Sequence, residues 1–430
     1  MNIGIIGGGA SGMMLASLIK TKDKVTLIDA NAKLGKKLLL TGNGKCNFTA
    51  DDFTDLHNIY NNDFARAIYK RYDRDSFLSF MKNIGIEPKL EWHKGRGYYY
   101  PNSNKSTSVY YALLDKIKAN GVNIVYNAKV INIESDNNKK TSDNDKNATN
   151  YIVETETDRY VFDKIVIATG GMSYKNTGSD GSVYKILEIL KHRVVKPLPG
   201  LVGFAHNDHD LKGLKGVRVD AKVIATIYDK DSKILKEYIE TGEVQFNENY
   251  VSGIPMMDMS RYINRYIDDG CKVELRLNLY DREGLYDYLV KRRENLYYKK
   301  AQDFLCGLLP DELANVIIKR TQNEMHNDTS NRKDELCEPE VENLTNGFLK
   351  SLVKYIINFK IGNTSLGNFD NAQVTLGGVD INEVNVDTLE SKIYKGMYFT
   401  GEVLDIDGRC GGYNLQLAYS TAVLVSHSLM

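Results

Sequence analysis

The sequence predicts an α/β protein whose main domain carries a parallel sheet and is interrupted by a β-rich module. Three observations support this prediction. The chain opens on a short apolar run, a glycine turn, an amphipathic stretch and a second apolar run. Two later apolar runs, in 165–171 and 396–404, are each followed by glycine, and after Leu190 apolar and polar residues alternate between glycine-marked turns. The 430 residues suffice for two or three domains of ordinary size.

Composition and charge are those of an ordinary soluble enzyme. Lys+Arg and Asp+Glu are equal at 56 each, so no excess positive charge favours a nucleic acid or an anionic membrane as partner. The five cysteines form no C-x-x-C pair, which disfavours disulfides and a zinc site, and we expect no metal. No basic segment precedes the N-terminal apolar run, so no export signal is predicted. We therefore expect a cytoplasmic protein that acts on a small molecule.

The first elements form a βαβ unit. It comprises a strand at Asn2–Ile6, a glycine turn at Gly7–Gly12, a helix at Met13–Lys20 and a second strand at Lys24–Asp29.

Helices and a hairpin follow. Apolar residues have helical spacing in Phe53–Gly85 and in Val109–Asn120. Alternation in Asn123–Glu134 and Tyr151–Phe162 predicts a hairpin, and Lys164–Thr169 predicts a buried strand.

The later part of the chain predicts a β-rich module and a helical subdomain. The alternating segments are Val194–Phe204, Val217–Tyr228, Ile234–Ile239 and Glu243–Phe246. Tyr286–Arg320 has helical spacing, whereas Gln322–Asn346 is too polar to pack.

The glycine turn has the spacing G-x-G-x-x-G between a strand and a helix. In this pattern Gly7 permits the tight turn, Gly9 lets the backbone approach a pyrophosphate, and Gly12 allows close packing of helix on strand. The helix N-terminus supplies unpaired N–H groups and a positive dipole end. Asp29 follows Gly12 by 29 − 12 = 17 residues, where a carboxylate accepts hydrogen bonds from an adenosine ribose. The motif predicts a dinucleotide site and leaves FAD and NAD open.

Two distant strand ends favour FAD. The segments "IVIATGG" in 165–171 and "GMYFTGEVL" in 396–404 both read as strands that end near glycine. A cofactor as long as FAD needs several strand ends beside one nucleotide site, so FAD is the predicted cofactor.

Seven motifs together resemble one bacterial family. They are "GIIGGGASGMMLA", "GKKLLLTGNGKCNFT", "GRGYYYPNSNKS", "ATGGMSYKNTGSDG", "GEVQFNENYVSGIP", "AQVTLGGV" and "GEVLDIDGRCGGYNLQLAYS". In order and number they are similar to the FAD-binding flavoproteins of the aminoacetone oxidase and BaiN types, which are NAD(P)/FAD-dependent oxidoreductases. The resemblance implies a glutathione-reductase-like Rossmann FAD domain (1–192 and 368–430), an inserted β-barrel-like domain (193–275 and 347–367) and a small helical domain (276–346).

The resemblance also implies which residues contact FAD. The residues expected near the pyrophosphate and the adenosine ribose, including two nearby cations, are Gly7, Gly9, Ala10, Ser11, Gly12, Asp29, Ala30, Lys36 and Lys37. The adenine half is expected at Val130, Ala168, Thr169 and Gly170, and the ribityl chain at Gly401 and Glu402. The isoalloxazine is expected beside Gly44, Lys45, Cys46, Asn47, Thr375, Gly377, Gly378, Gly411, Gly412, Tyr413, Asn414 and Leu415.

Gly411-Gly412 has a physical rationale beyond the resemblance. It lets the backbone approach the ring, and the helix that follows would stabilise negative charge on the reduced flavin by roughly 0.3–1 kcal/mol. Cys46 and Cys410 lie in the expected flavin loops, but with no partner cysteine nearby in the sequence, packing is the favoured interpretation.

These features predict hydride transfer between flavin N5 and an organic substrate, with NADH or NADPH as a transient donor. The resemblance implies reduction of an activated C=C bond, as in a steroid or bile-acid enone, or amine oxidation. An NAD-dependent dehydrogenase and a tRNA-acting flavoprotein are the alternatives. The family pattern differs at Asn247–Tyr250 in the inserted domain, so the substrate is not carried over. No catalytic acid or base and no oligomeric state are predicted.

Overall fold

The computed structural model describes residues 1–135, 150–328, 340–362, 364–365 and 367–430. The chain divides into two compact units. The first unit comprises Met1–Pro199 and Phe369–Met430, and the second comprises Gly200–Asn368. The predicted three-domain boundaries stay a prediction.

The first unit combines short strands with helices. Its strands are β1 Asn2–Ile6, β2 Lys24–Ile28, β3 Thr49–Ala50, β4 Pro88–His93, β5 Arg96–Pro101, β6 Asn123–Val125, β7 Val130–Ser135, β8 Tyr151–Thr155, β9 Arg159–Phe162, β10 Lys164–Ile167, β11 Val194–Gly200, β19 Val374–Val379 and β20 Met397–Phe399. Its helices are α1 Ala10–Leu18, α2 Lys36–Leu40, α3 Leu56–Ile59, α4 Asp63–Arg71, α5 Arg74–Asn83, α6 Ser106–Ala119, α7 Ser182–Ile189 and α12 Tyr413–Leu429.

A five-stranded parallel sheet forms the centre of this unit, in the order β20-β10-β1-β2-β6. Ile5 of β1 lies between Leu27 of β2 and Val166 of β10, and all three are fully buried. Such apolar strands are typical of a parallel sheet with both faces covered. Because the strands are parallel, their carboxyl ends lie along one edge, where ligands bind in open α/β sheets. This is the Rossmann-type α/β fold that the sequence predicted.

Smaller sheets complete the first unit, and they correct one prediction. Asn123–Glu134 is not one strand, because Asn127 adopts a positive φ of 53° and separates β6, which joins the parallel sheet, from β7. Tyr151–Phe162 is itself a hairpin of β8 and β9, and β7 pairs antiparallel with β8. Between β7 and β8 the sequence predicts a polar loop over Ser135–Asn150, of which residues 136–149 lie outside the described residues.

In its described residues, the second unit contains an antiparallel sheet and four α-helices. Its strands are β12 Phe204–His206, β13 Arg218–Tyr228, β14 Ile234–Phe246, β15 Tyr250–Ser252, β16 Lys272–Asn278, β17 Phe359–Ile361 and β18 Thr364–Ser365. Its helices are α8 Ile254–Asp268, α9 Leu285–Asn295, α10 Asp311–Asp328 and α11 Asn346–Ile357.

The seven strands follow the order β17-β16-β13-β14-β15-β12-β18. The two outermost strands, β17 and β18, are separated by only two residues of chain, so the sheet must curl to bring its edges together. This curl is the physical basis of a barrel-like insertion. Sheet and helices share one apolar core, which includes Phe246, Leu289 and Leu349.

One helix extends further than its polarity predicted. α10 continues through Gln322 to Asp328, and Thr321 is fully buried on it. The rest of the predicted unpacked segment includes 329–339, which lie outside the described residues. Across the described ranges, we find no helix with the length and apolar character needed to span a bilayer.

Candidate dinucleotide and flavin site

Two glycines of the first turn are required by close backbone contacts. Gly7 has a φ of 103°, and its N–H donates to the carbonyl of Ile28 at 2.8 Å, continuing the sheet. A Cβ atom on Gly7 would lie 2.5 Å from the carbonyl oxygen of Ala168, and one on Gly12 would lie 1.9 Å from that of Gly7. The turn therefore folds only with glycine at both positions.

Gly9 is surrounded differently. It is the N-cap of the nine-residue helix α1, and no side chain caps the helix or places an acid in its first turn. A Cβ atom on Gly9 would have no neighbour within 4 Å. Open space in front of unpaired N–H groups at a positive helix end suits a pyrophosphate. Ala10 and Ser11 form the first turn, and Ser11 Oγ donates to the carbonyl of Thr400 at 3.3 Å.

Asp29 is held at the end of β2 by three hydrogen bonds. Its Oδ2 accepts from the N–H of Gly8 at 2.7 Å, and its Oδ1 accepts from the N–H and Nδ2 of Asn31 at 2.8 and 3.0 Å. Lys36 Nζ donates to Asn31 Oδ1 at 2.6 Å, so Lys36 fixes the carboxylate through Asn31. Ala30 is exposed beside it.

The predicted adenine segment is tied to the same strand end. The N–H of Ala128 donates to the carbonyl of Asp29 at 2.9 Å, and Val130 begins β7 directly afterwards. On the other side of β1, Ala168, Thr169 and Gly170 follow β10. The Oγ1 atom of Thr169 is buried without a hydrogen-bond partner in the described structure, which leaves a polar atom to be satisfied at this edge.

Lys37 and Glu402 form a half-buried ion pair, with Nζ and Oε2 2.8 Å apart. Lys37 Nζ also donates to Ser173 Oγ at 2.7 Å, and Glu402 Oε1 accepts from the N–H of Thr375 at 2.9 Å. Gly401, just before Glu402, has a φ of 74° and lies against Ser11. The network links α2 to the turn after β20, so Lys37 is a positioning residue for Glu402.

The pair Gly411-Gly412 lies beside a loop that is distant in the sequence. Gly412 is the N-cap of the 17-residue helix α12, which begins at Tyr413 and has neither a side-chain cap nor an acid in its first turn. A Cβ atom on Gly412 would lie 2.8 Å from Asn47 Oδ1, a buried atom without a hydrogen-bond partner in the described structure. A Cβ on Gly411 would lie 2.5 Å from the ring of Tyr98. The segment 44–47 and the start of α12 are thus neighbours.

The remaining predicted flavin residues have local roles. Gly44 has no neighbour within 4 Å of an added Cβ, and Lys45 beside it is exposed. Asn414 Oδ1 accepts from the N–H of Gly408 at 2.8 Å, while Leu415 is half-buried. Tyr413 Oη donates to the carbonyl of Asp52 at 3.0 Å, and burial raises the pKa of its phenol.

The strand β19 is held by backbone contacts. Thr375 Oγ1 accepts from the N–H of Met172 at 2.7 Å. Cβ atoms on Gly377 and Gly378 would lie 2.5 Å from the carbonyl oxygen of Lys196 and 2.6 Å from that of Val403. Both glycines therefore face protein on the side where a Cβ would point.

The two cysteines of these loops differ in environment. Cys46 is fully buried, and burial raises the pKa of its thiol to about 12. A thiol that stays protonated at neutral pH is a poor nucleophile. Cys410 is half-buried, with its Sγ 3.9 Å from Gln373 Oε1.

Three supporting residues were missed from the sequence. Asn31 connects Asp29, Lys36 and the carbonyl of Thr177. Ser173 joins the Lys37 network, and the fully buried Gln416 accepts from Thr49 Oγ1 at 2.7 Å. Ser173 and Gln416 give no local signal, because their partners Lys37 and Thr49 lie 136 and 367 residues away, and Asn31 also contacts Thr177 at a separation of 146 residues.

The arrangement fits FAD and defines a class. Two uncapped helix N-termini, open space at Gly9 and Gly44, and a fixed carboxylate at the end of β2 are the features of a dinucleotide-binding Rossmann protein. Comparison with known families then shows which family the chain belongs to. Residues 1–428 match the family described as HI0933-like protein Rossmann domain, and the chain belongs to this family.

Curated relatives match along nearly the whole chain. A 3-dehydro-bile acid delta(4,6)-reductase of Clostridium scindens is 32% identical, covering 99% of this chain and 98% of the relative. Ribosomal RNA dihydrouridine synthases of Haemophilus influenzae and Escherichia coli are 25% and 26% identical, and each match covers 99% of this chain and 97% of the relative. The family and these similarities identify an FAD-dependent oxidoreductase, which confirms the predicted class of enzyme and cofactor.

Proposed function

We propose that the protein reduces a C=C bond conjugated with a carbonyl group and uses NADH or NADPH as the electron source. When bound, FAD supplies hydride transfer at its N5 position. The observation that supports this proposal most strongly is the uncapped start of α12 beside Asn47, because it offers a positive helix end to the charge of a reduced flavin.

The chain's own residues hold the cofactor and prepare it. The N–H groups of Ala10 and Ser11 would face the pyrophosphate, and Asp29 would accept hydrogen bonds from the adenosine ribose. Glu402, oriented by Lys37, would hold the ribityl chain. The N–H groups at the start of α12 would stabilise negative charge on the ring.

The names of the relatives support this reaction and suggest two candidate classes of substrate. The 32% identical relative is named as a reductase of a dehydro-bile acid, which favours a steroid-like enone. Dihydrouridine differs from uridine by two hydrogens across one C=C bond conjugated with a carbonyl, and two relatives are named for its synthesis. Uridine in RNA is therefore the second candidate. The equal totals of acidic and basic residues favour the enone.

Flavin half-reactions test the proposal. Purified protein should carry a yellow FAD spectrum that NADH or NADPH bleaches without oxygen. A 3-oxo-Δ4 steroid should then restore the oxidised spectrum faster than an amine, a uridine-containing RNA or buffer. Faster reoxidation by the RNA would select the second candidate. Bleaching of the flavin by the amine itself would indicate an amine oxidase and contradict the proposal.

A further inference from the structure

One face of strand β5 lies against both loops that are expected beside the isoalloxazine. Tyr98 and Tyr100 share this face, because side chains alternate along a strand. A Cβ atom on Gly411 would lie 2.5 Å from the ring of Tyr98. A Cβ atom on Gly42 would lie 3.4 Å from Cε1 of Tyr100, and the phenol of Tyr100 also interacts electrostatically with Cys410. Tyr100 therefore lies beside the two loops that would enclose the flavin ring.

The hydroxyl of Tyr100 differs from that of the preceding residue. Tyr99 lies on the opposite face of β5, where its Oη donates to Asp51 at 3.3 Å. In the part of the chain that the structure describes, the Oη of Tyr100 donates to no such acceptor, and its side chain is half-buried. A hydroxyl in this position can give its proton to a bound molecule and take another from water.

The surroundings of Tyr100 keep its phenol protonated at neutral pH. Burial, the carboxylate of Glu91 and the thiol of Cys410 all raise the pKa of this phenol. Lys89 lies opposite Tyr100 on β4 and donates to Glu91 at 2.7 Å. This hydrogen bond lowers the pKa of Glu91, so Glu91 carries a negative charge and cannot itself donate a proton.

We propose that Tyr100 is the proton donor of the reduction, an inference that rests on the proposed function. Saturation of a conjugated C=C bond requires a hydride at the β-carbon and a proton at the α-carbon. The hydride from flavin N5 forms the first C–H bond, and the electron pair of the C=C bond moves toward the carbonyl to give an enolate. The O–H bond of Tyr100 then breaks, its proton forms the second C–H bond, and the phenolate takes a proton from water. The substrate gains the two electrons that the flavin loses.

The same donor serves both candidate classes of substrate. An enolate carbon is a much stronger base than a phenolate, so the transfer is favourable even from a phenol whose pKa is raised. The reducible bond of uridine is also conjugated with a carbonyl, and its α-carbon also needs a proton. The role of Tyr100 therefore does not depend on which substrate the protein reduces.

Half-reactions of the full-length protein with FAD bound test the donor. Tyr100→Phe keeps the ring but has no proton to give, so reoxidation of the reduced flavin by a 3-oxo-Δ4 steroid should slow about 100-fold or more. Reduction by NADH or NADPH, and reoxidation by ferricyanide, which takes only electrons, should keep their rates. Tyr99→Phe is the matched control, because its hydroxyl lies on the other face of β5, and it should leave all these rates unchanged.

Chemical modification gives a measurement that does not depend on turnover. Tetranitromethane nitrates accessible tyrosines, and mass spectrometry of peptides locates the modified rings. Tyr100 should be nitrated more slowly with FAD bound than in the apoprotein, because the flavin ring would cover it. Tyr111, which is 56% exposed on α6, should react at the same rate in both states.

The outcomes separate this inference from the proposed function. Equal reoxidation by the steroid in Tyr100→Phe and in the unchanged protein would exclude Tyr100 as the donor and leave the proposed reaction intact. Equal nitration of Tyr100 with and without FAD would show that its ring lies away from the cofactor, and would also overturn the inference. If neither the steroid nor a uridine-containing RNA reoxidised the unchanged protein, the proposed function would fail and the donor with it.

Discussion

Among single residues, the three motif glycines of G-x-G-x-x-G, namely Gly7, Gly9 and Gly12, show that the same residue type is required for different physical reasons. Gly7 and Gly12 meet backbone atoms where a side chain would start, whereas Gly9 faces open space. The contacts of Gly7 and Gly12 could be predicted from the sequence, because strand, turn and helix are local and their geometry follows from spacing. The role of Gly9 beside a pyrophosphate stays a prediction. The contacts of Asn31 could not be predicted, since one of its partners, Thr177, lies 146 residues away.

Alanine substitutions separate these roles. Gly9→Ala should leave the melting temperature of the apoprotein unchanged, because its φ of −74° suits alanine and the added methyl meets nothing. The same methyl should weaken FAD binding about tenfold by occupying the pyrophosphate space, as measured by fluorescence titration. Gly12→Ala should instead destabilise the fold by several kcal/mol, since overpacking beside backbone is costly. Equal melting temperatures for the two variants would contradict this distinction.

Cys46 predicts a specific pH dependence of stability. Its thiol has a folded pKa of about 12, against about 8.5 in an unfolded chain. The stabilising contribution of the neutral thiol is complete below about pH 8.5 and falls as pH rises toward 12, by up to about 1.4 kcal/mol per pH unit. The unfolding free energy should therefore decline more steeply above about pH 9 in the unchanged protein than in Cys46→Ala. Parallel slopes would show that Cys46 is not buried as described.

Between elements, the ion pair of Lys37 and Glu402 joins helix α2 to the turn after β20 across 365 residues of sequence. Apolar patterning predicted β1, α1, β2 and β10, but it predicted neither helix α2 nor the side chains that join these elements. β6 and β7 show the same limit, because a positive φ at Asn127 splits what reads as one alternating segment. Tertiary contacts decide such breaks.

Removing the Lys37–Glu402 ion pair should weaken the site as a whole. Lys37→Met should lower the unfolding free energy by about 1–2 kcal/mol and weaken FAD binding, because Glu402 loses a charged donor and Ser173 loses its bond to Nζ. Lys22→Met, at an exposed position, is the matched control. In a double-mutant cycle with Glu402→Gln, the effects should be clearly non-additive. Additive effects would show that the pair is not coupled.

In the whole molecule, the residues expected to bind FAD all lie in the first unit, although they span nearly the entire sequence. The G-x-G-x-x-G pattern and Gly411-Gly412 could be recognised because each is a local turn before a helix. The second unit was predicted less completely, because helix α8 and strand β16 were not predicted, although Lys272–Asn278 alternates between polar and apolar residues as a half-buried strand does.

Hydrogen exchange should show that FAD protects backbone amides of the first unit but not those of the second. Saturating FAD stabilises a folded site by about 2.7 kcal/mol at a concentration of 100 Kd. Amides at the ends of β1, β10 and β20 should therefore exchange more slowly with FAD, while those of the β13–β14 hairpin should keep their rates. Equal slowing in both units would contradict a site confined to the first unit.

The position of β20 has a consequence for biosynthesis. This strand, Met397–Phe399, is an edge of the central sheet, and Ser11 bonds to Thr400 across 389 residues. The other four strands of the sheet, β1, β2, β6 and β10, are translated well before β20, so they leave the ribosome with β10 as an open sheet edge. The turn that joins Ser11 to Thr400 can form only after β20 has also emerged, so assembly of the cofactor site is a late step in the folding of a newly made chain.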